Sequence, residues 1–83
     1  MGQLDGKVAI ITGGGSGIGK GIAAAFAGEG CSVVIAARDI DRLNGTAEEI
    51  TANTGSEVVA IQTDVTDEAA VKRLFQLTME RFS

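Results

Sequence analysis

The feature that most constrains this chain is a glycine-rich stretch, residues 12–19, which reads Thr-Gly-Gly-Gly-Ser-Gly-Ile-Gly. It follows the apolar run 8–11 and leads into an alanine-rich segment, 22–27, with helical character. Five glycines in eight residues lose much backbone entropy, which is tolerable only where the chain turns sharply or approaches a ligand closely. A glycine turn between a strand and a helix also gathers backbone N–H groups at the positive end of the helix dipole. The stretch therefore predicts a phosphate site, and hence a bound nucleotide.

Composition narrows the classes of protein and partner. The 83 residues suffice for one small domain, and no second domain is expected. A net charge of −4, from 7 basic and 11 acidic residues, argues against a nucleic-acid partner. The apolar stretches are too short to span a bilayer, so no membrane partner is expected. Cys31 is the only cysteine and histidine is absent, which excludes disulfide frameworks and Cys/His metal sites. We expect Cys31 to be a small buried thiol at the start of a strand, in a reducing, cytoplasmic compartment.

Three apolar runs alternate with three longer segments of helical period. The runs are residues 7–11, 32–37 and 57–62. Each is rich in Val and Ile and lacks in/out alternation, which is typical of parallel strands covered on both faces. Asp39 and Thr66 are expected to be helix N-caps, whereas Gly30 and Gly55 supply the turns that end the first two helices.

This order predicts an α/β fold, β-α-β-α-β-α, with three layers. Right-handed crossovers give a parallel sheet with strand order 3-2-1, which is one half of a doubly wound Rossmann-type sheet. A fourth strand beside the first one would complete such a sheet, and without it the first strand has an open edge.

Two standard phosphate-loop patterns fail at one position each. Residues 14–20 match most of the P-loop of NTPases, but Gly21 stands where Ser or Thr must reach a Mg²⁺ ion. The dinucleotide pattern G-x-G-x-x-G begins at Gly17 and Gly19 but meets Ile22 at its last glycine. A glycine turn without a ligand is the third interpretation, which the adjoining helix start makes unattractive.

A related spacing does match. The order Thr12-Gly13-x-x-x-Gly17-x-Gly19 resembles the coenzyme motif of the short-chain dehydrogenase/reductase family. Residues 6–11 resemble the family's first strand and its entry, and residues 33–38 resemble the second strand and its end. The pair Asp64-Val65 follows the third run, where the family keeps an acid beside the adenine. The resemblance covers nearly the whole chain, and it implies that residues 1–83 are the N-terminal part of an NAD(P)-binding Rossmann domain.

The resemblance implies a set of cofactor-binding residues: Thr12, Gly13, Ser16, Gly17, Ile18, Gly19, Arg38, Asp64 and Val65. Gly13 would allow a tight turn after the strand, Gly17 a close approach of backbone to pyrophosphate, and Gly19 close packing of the helix on the sheet. Thr12 would brace the loop by hydrogen bonds, and Ile18 would donate its backbone N–H to a phosphate oxygen. No catalytic residue and no metal ligand is expected in this chain.

The end of the second strand favours NADP over NAD. An NAD site needs a carboxylate on the ribose diol, but Ala37 stands there, and Arg38 follows with a guanidinium suited to a 2′-phosphate. Asp64 would accept from the adenine amino group, with Val65 giving a backbone N–H and an apolar contact. Ser16 would place its hydroxyl on the ribose or its phosphate. Structural alternatives stay open: a solvated turn serine, an exposed arginine before a helix and a turn aspartate.

The chemistry that the resemblance implies is incomplete here. The family uses a tyrosine acid/base with a lysine four residues on, and this chain contains no tyrosine. One hypothesis is that the chain is the N-terminal portion of an NADP-dependent oxidoreductase. Such an enzyme would act on a small carbonyl or alcohol substrate, and family analogy offers 3-oxoacyl compounds as candidates. The other is a non-catalytic half-Rossmann module, natural or constructed, that binds nucleotide. The resemblance also implies a homo-oligomer.

Overall fold

A computed structural model describes residues 6–13 and 17–82. The elements in chain order are β1 (Val8–Thr12), α1 (Gly17–Gly28), β2 (Ser32–Ala37), α2 (Ile40–Thr54), β3 (Val58–Gln62) and α3 (Glu68–Phe82). The predicted β-α-β-α-β-α alternation is confirmed. β1 begins and ends one residue later than the predicted run 7–11. Within the described ranges, none of the three helices combines the length and hydropathy that a bilayer crossing requires.

The three strands form one parallel sheet in the order β1-β2-β3. This is the predicted order 3-2-1 read from the other edge of the sheet. Ile10 lies opposite Val34, and Ile35 lies opposite Ala60. Because all three strands are parallel, their carboxyl ends meet at one edge of the sheet, where open α/β sheets bind ligands.

The middle strand is covered on both faces, as its unbroken apolar sequence predicts. Val33 and Ile35 pack in a cluster with residues of α1 and α2, including Ala23 and Leu43. Val34 and Ala36 point to the other face, because successive strand residues alternate, and they pack with Leu74 of α3. The molecule therefore has the three predicted layers: two helices, the sheet and one helix.

Cys31 lies immediately before β2 in the larger of these clusters and is 1% exposed. Its thiol donates to the carbonyl of Ser32 at 3.3 Å. Burial raises the pKa of the Cys31 thiol, against a smaller opposite effect of the Ala9 backbone. The prediction of a small buried thiol is confirmed, and the thiol stays protonated at neutral pH.

Capping residues set both ends of α2 as predicted. The Asp39 carboxylate accepts from the Arg42 backbone N–H at 3.1 Å, which satisfies one of the donors left over at a helix N-terminus. Gly55 ends the helix with φ of 76°, a left-handed conformation that favours glycine, and its N–H donates to the Thr51 carbonyl.

The predicted cap of α3 is wrong by one residue. Asp67, not Thr66, caps this helix: its carboxylate accepts from the Ala69 N–H at 3.0 Å. Its carbonyl also accepts from the Val71 N–H, the first bond of the helix. Thr66 instead gives both its N–H and its hydroxyl to Asp64. A short aspartate side chain competes well for donors two residues ahead, and here it claims the threonine.

Candidate nucleotide-binding site

A cleft of about 320 Å³ opens at the carboxyl ends of the three strands. Its lining consists of residues that end or follow a strand: Thr12, Gly13, Ala36, Ala37, Arg38, Thr63 and Val65. Four of the predicted cofactor residues, Thr12, Gly13, Arg38 and Val65, are thus brought to one place. The parallel sheet causes this, since it aligns the ends of segments that are far apart in sequence.

Gly13 turns the chain away from β1 at the rim of this cleft. Its φ is 73°, in the left-handed region, and its N–H donates to the Ala36 carbonyl at 2.7 Å. A residue with a Cβ would be strained in this conformation, so the position favours glycine. The next three residues, which include Ser16, lie outside the described residues. The role predicted for Ser16 therefore stays a prediction.

Gly17, Ile18 and Gly19 form the first turn of α1 and do not line the cleft. Gly17 is exposed. Apart from its chain neighbours and its own helix backbone, no heavy atom of the described residues lies within 4 Å of the point where a Cβ would be, so a ligand could approach its backbone. Gly19 is buried on the same helix side as Ala23, which packs on the sheet. The N–H groups of a first helical turn have no partner within the helix and face the N-terminal side.

Arg38 and Asp64, predicted to contact different parts of a cofactor, contact each other. The Arg38 Nη2 donates to Asp64 Oδ1 at 3.1 Å, although the arginine side chain is 71% exposed. The carbonyl of Arg38 accepts from Gln62 Nε2 at 2.9 Å, which fixes the backbone from which the guanidinium extends. The guanidinium is therefore held at the mouth of the cleft by a solvent-accessible ion pair that a stronger anion can replace.

Three donors converge on one oxygen of Asp64. The Thr66 N–H lies 2.9 Å from Oδ1, the Thr66 hydroxyl 2.6 Å and the Arg38 guanidinium 3.1 Å. These contacts hold the pKa of the Asp64 carboxyl below its usual range: the Thr66 hydroxyl first, then the Thr66 N–H, with Arg38 adding less. Asp64 is thus an oriented carboxylate at neutral pH.

This arrangement predicts a pH dependence of stability. The pKa of Asp64 is lower in the folded chain than in the unfolded one, so its contribution is complete above the unfolded value, about 3.9. That contribution is lost as the pH falls through the folded pKa. We expect the urea midpoint of the wild type to exceed that of Asp64→Asn near neutral pH. The two midpoints should converge as the pH falls below the unfolded value and through the lower folded pKa of Asp64. Parallel curves across this range would contradict the contacts described for Asp64.

Sequence reasoning missed Thr63, Thr66 and Gln62 as parts of the site. Thr63 is only 2% exposed, and its N–H donates to the Ala37 carbonyl at 2.8 Å, which extends the pairing of the two strand ends. The spacing Asp-x-Thr at 64–66 was a usable signal, because an aspartate readily accepts from the residue two ahead. The partner of Gln62, in contrast, depends on strand register.

A second groove, of about 410 Å³, lies between α2 and β3. It is lined by Asn44, Ala47, Glu48, Thr51, Ala52, Val58 and Ala60. Its one charged side chain is an acid, so it offers no cation for a phosphate. The smaller cleft, with Arg38, is the better nucleotide site.

The described residues suit the adenosine and pyrophosphate part of a dinucleotide. An exposed guanidinium lies at the end of β2, beside an alanine that offers no carboxylate. The N-terminus of α1 follows the glycine-rich stretch after β1. These are the positions at which a Rossmann-type sheet holds the adenosine ribose and the pyrophosphate.

Comparison with known proteins identifies the relatives. The sequence profile of the family described as short chain dehydrogenase matches residues 7–83. An uncharacterized oxidoreductase of Caenorhabditis elegans is 53% identical over 74 residues, which are 89% of this chain and 24% of that protein. A probable 2,4-dienoyl-CoA reductase of the same organism is 47% identical over 81 residues, 98% of this chain and 26% of that protein.

Solved structures agree with the sequence matches. L-Sorbose reductase from Gluconobacter frateurii, complexed with NADPH and L-sorbose, has a TM-score of 0.92 at 39% identity. The match covers 99% of this chain and 31% of the reductase chain. A short chain dehydrogenase/reductase from Burkholderia phymatum in complex with NAD has a TM-score of 0.90 at 40% identity. That match covers 99% of this chain and 29% of the Burkholderia chain. This chain therefore spans about a quarter to a third of the length of these relatives. With its glycine turn, its sheet and its profile match in agreement, the chain belongs to the short-chain dehydrogenase/reductase family.

Proposed function

We propose that this chain binds the adenosine-pyrophosphate part of NADP(H), as the N-terminal portion of an oxidoreductase for carbonyl or alcohol substrates. The observation that carries the choice of cofactor is the exposed Arg38 guanidinium beside Ala37 at the mouth of the cleft. A 2′-phosphate can accept two charge-assisted hydrogen bonds from a guanidinium, whereas an alanine has nothing to hold a bare ribose diol.

The ion pair with Asp64 supports this role. The guanidinium is held near the site by the Asp64 carboxylate, so binding of a phosphate would exchange one anion for another. A phosphate carries more charge than a carboxylate and accepts from both guanidinium arms, which favours the exchange. Asp64 keeps its two contacts with Thr66 and remains oriented to accept from the adenine amino group. Val65, 53% exposed beside it, supplies an apolar contact.

The pyrophosphate would lie at the start of α1. There, Gly17 has no side chain of its own. The N–H groups of a first helical turn point out of the helix start, so the Ile18 N–H would face a phosphate bound there. Gly13 and Thr12 line the cleft at the end of β1, directly before the segment that leads to this helix. Bound NADP(H) supplies a hydride donor or acceptor. The chain contains no tyrosine, so the family's proton-transferring residue is not among these 83 residues.

The similarity to a probable dienoyl-CoA reductase and to a sugar reductase supports a proposal about the class of substrate and not about one compound. Both names describe reduction, and the family analogy adds 3-oxoacyl compounds as candidates. The alternative, a non-catalytic nucleotide-binding module, rests on the missing tyrosine and predicts the same cofactor preference. The first test is therefore a test of binding.

That test compares two small probes that differ only in the 2′-phosphate. Isothermal titration of the chain with 2′,5′-ADP and with 5′-AMP should give at least about tenfold tighter binding of 2′,5′-ADP, the effect of one or two charge-assisted hydrogen bonds. NADP⁺ and NAD⁺ should show the same order. Equal affinities within each pair would overturn the assignment of NADP, and no binding of any of the four would overturn the nucleotide site.

A further inference from the structure

The backbone of Asp64 is fixed in a tight turn between β3 and α3. The Asp67 N–H donates to the Asp64 carbonyl at 3.0 Å, so residues 64–67 form one hydrogen-bonded turn. Before the turn, the buried Thr63 is bonded through its N–H to the end of β2. After it, Asp67 caps α3. The sheet on one side and the helix on the other therefore determine where the Asp64 side chain starts.

The Asp64 carboxylate is held by one oxygen. Oδ1 accepts from the Thr66 hydroxyl at 2.6 Å, from the Thr66 N–H at 2.9 Å and from Arg38 Nη2 at 3.1 Å. Within residues 6–13 and 17–82, no group donates to Oδ2. An ionised carboxylate can accept at both oxygens, and this side chain is 43% exposed. Oδ2 is therefore available as an acceptor for a ligand.

The next residue along the turn offers a backbone donor. Val65 lines the cleft and is 53% exposed, and its N–H has no hydrogen-bond partner in the described part of the chain. A donor and an acceptor side by side match adenine, which presents a ring nitrogen as acceptor and an exocyclic amino group as donor. Hypoxanthine, the deaminated base, presents the reverse pattern: a ring N–H and a carbonyl. The turn thus suits adenine and opposes its deaminated form.

We propose that Thr66 is a positioning residue that selects adenine: its hydroxyl holds Asp64 Oδ1 in place, so that Oδ2 accepts from the adenine amino group. The inference rests on the proposed function, because it concerns the base at the adenosine end of the same cofactor. Thr66 acts through Asp64 and makes no contact with the base itself.

The competing partner of Asp64 shows why the hydroxyl is needed. A guanidinium can take both oxygens of a carboxylate in a bidentate pair. The Thr66 hydroxyl, the closest of the three donors, keeps Asp64 from turning Oδ2 toward Arg38. Without that hydroxyl, the carboxylate could pair with Arg38 through both oxygens, and the base would lose its acceptor.

The same hydroxyl is the largest cause of the lowered pKa of the Asp64 carboxyl. It therefore favours the ionised carboxylate, which can only accept hydrogen bonds. A protonated carboxyl could donate to the carbonyl of hypoxanthine and would discriminate less. Orientation and ionisation of Asp64 thus depend on one side chain, Thr66.

Calorimetric titration with NADP⁺ and with its deaminated form, which carries hypoxanthine in place of adenine, tests the inference. The wild type should bind NADP⁺ at least about tenfold more tightly. Thr66→Val keeps the shape and the backbone N–H but lacks the hydroxyl, so it should reduce this preference by about threefold or more. Thr66→Ser retains the hydroxyl and should keep the preference within about twofold of the wild type. Thr66 is exposed, so neither change leaves a buried cavity.

Thr51→Val is the matched control, because it makes the same change at an exposed position of α2 in the second groove. It should leave the preference unchanged, and far-UV circular dichroism checks the fold of each variant. A wild-type preference that survives in Thr66→Val, or one that Thr66→Ser loses, would overturn the role of Thr66. Equal binding of both dinucleotides by the wild type would also overturn it, while the preference for the 2′-phosphate would stand. Only a wild type that binds neither dinucleotide would overturn the proposed function as well.

Discussion

Replacing Arg38 with alanine is expected to weaken the binding of NADP⁺ and of 2′,5′-ADP by about 10- to 100-fold, and that of NAD⁺ and 5′-AMP by less than about threefold. Hydrogen bonds to charged groups contribute about 1.5–3 kcal/mol, and 1.4 kcal/mol corresponds to a factor of ten in affinity. The arginine side chain is 71% exposed, so its loss creates no cavity. Calorimetric titration with the four nucleotides measures both effects.

Two further variants separate a specific contact from general electrostatics. Arg38→Lys keeps the charge but cannot bind bidentately, so its affinity for 2′,5′-ADP should fall between those of the wild type and Arg38→Ala. Arg73→Ala removes one positive charge from an exposed position of α3 and should change no affinity by more than about twofold, as distant exposed charges are screened. If Arg38→Ala weakens all four nucleotides equally, the 2′-phosphate is not its target.

The fold was largely predictable because its strongest signals are local. The unbroken Val/Ile run of β2 predicted a strand covered on both faces, and Asp39 and Gly55 mark the ends of α2 with side-chain and backbone chemistry that depends on neighbouring residues only. The cap of α3 was missed for the opposite reason. Thr66 is a good capping residue, but its hydroxyl donates to the Asp64 carboxylate, and Asp67 caps the helix instead. Only the geometry of the turn after β3 shows this.

The candidate site was predictable in part. A strand end followed by glycines or by an arginine is visible in the sequence, and the parallel sheet then brings such ends together. The contact between Arg38 and Asp64 joins residues 26 positions apart, and it depends on β2 and β3 being neighbours with a fixed register. The same holds for Thr63, whose N–H extends the pairing of those strands. Contacts between polar side chains that are far apart in the sequence leave no periodic pattern in it, so a single sequence does not predict them.

Leu43→Ala is expected to destabilise the chain by about 2–5 kcal/mol, the range for truncating a buried leucine. Leu43 is fully buried between α2 and the sheet, in one cluster with Val33, Ile35 and Ala23. Strand residues and a small alanine cannot move far enough to refill the space, which places the loss toward the upper part of the range. A chain of this size has a small core, so such a loss removes most of its stability.

Urea unfolding followed by circular dichroism measures the effect, with Ile18→Ala as the control. Ile18 is 82% exposed, so its truncation should shift the free energy of unfolding by less than about 0.5 kcal/mol. A saturating nucleotide should restore part of the stability of Leu43→Ala, because a ligand that binds only the folded chain stabilises it by mass action. Equal, small losses in Leu43→Ala and Ile18→Ala would show that the layer between α1, α2 and the sheet is not the stabilising core. The cleft would then have to be held in place by the three strands and by α3, which packs on the other face of the sheet.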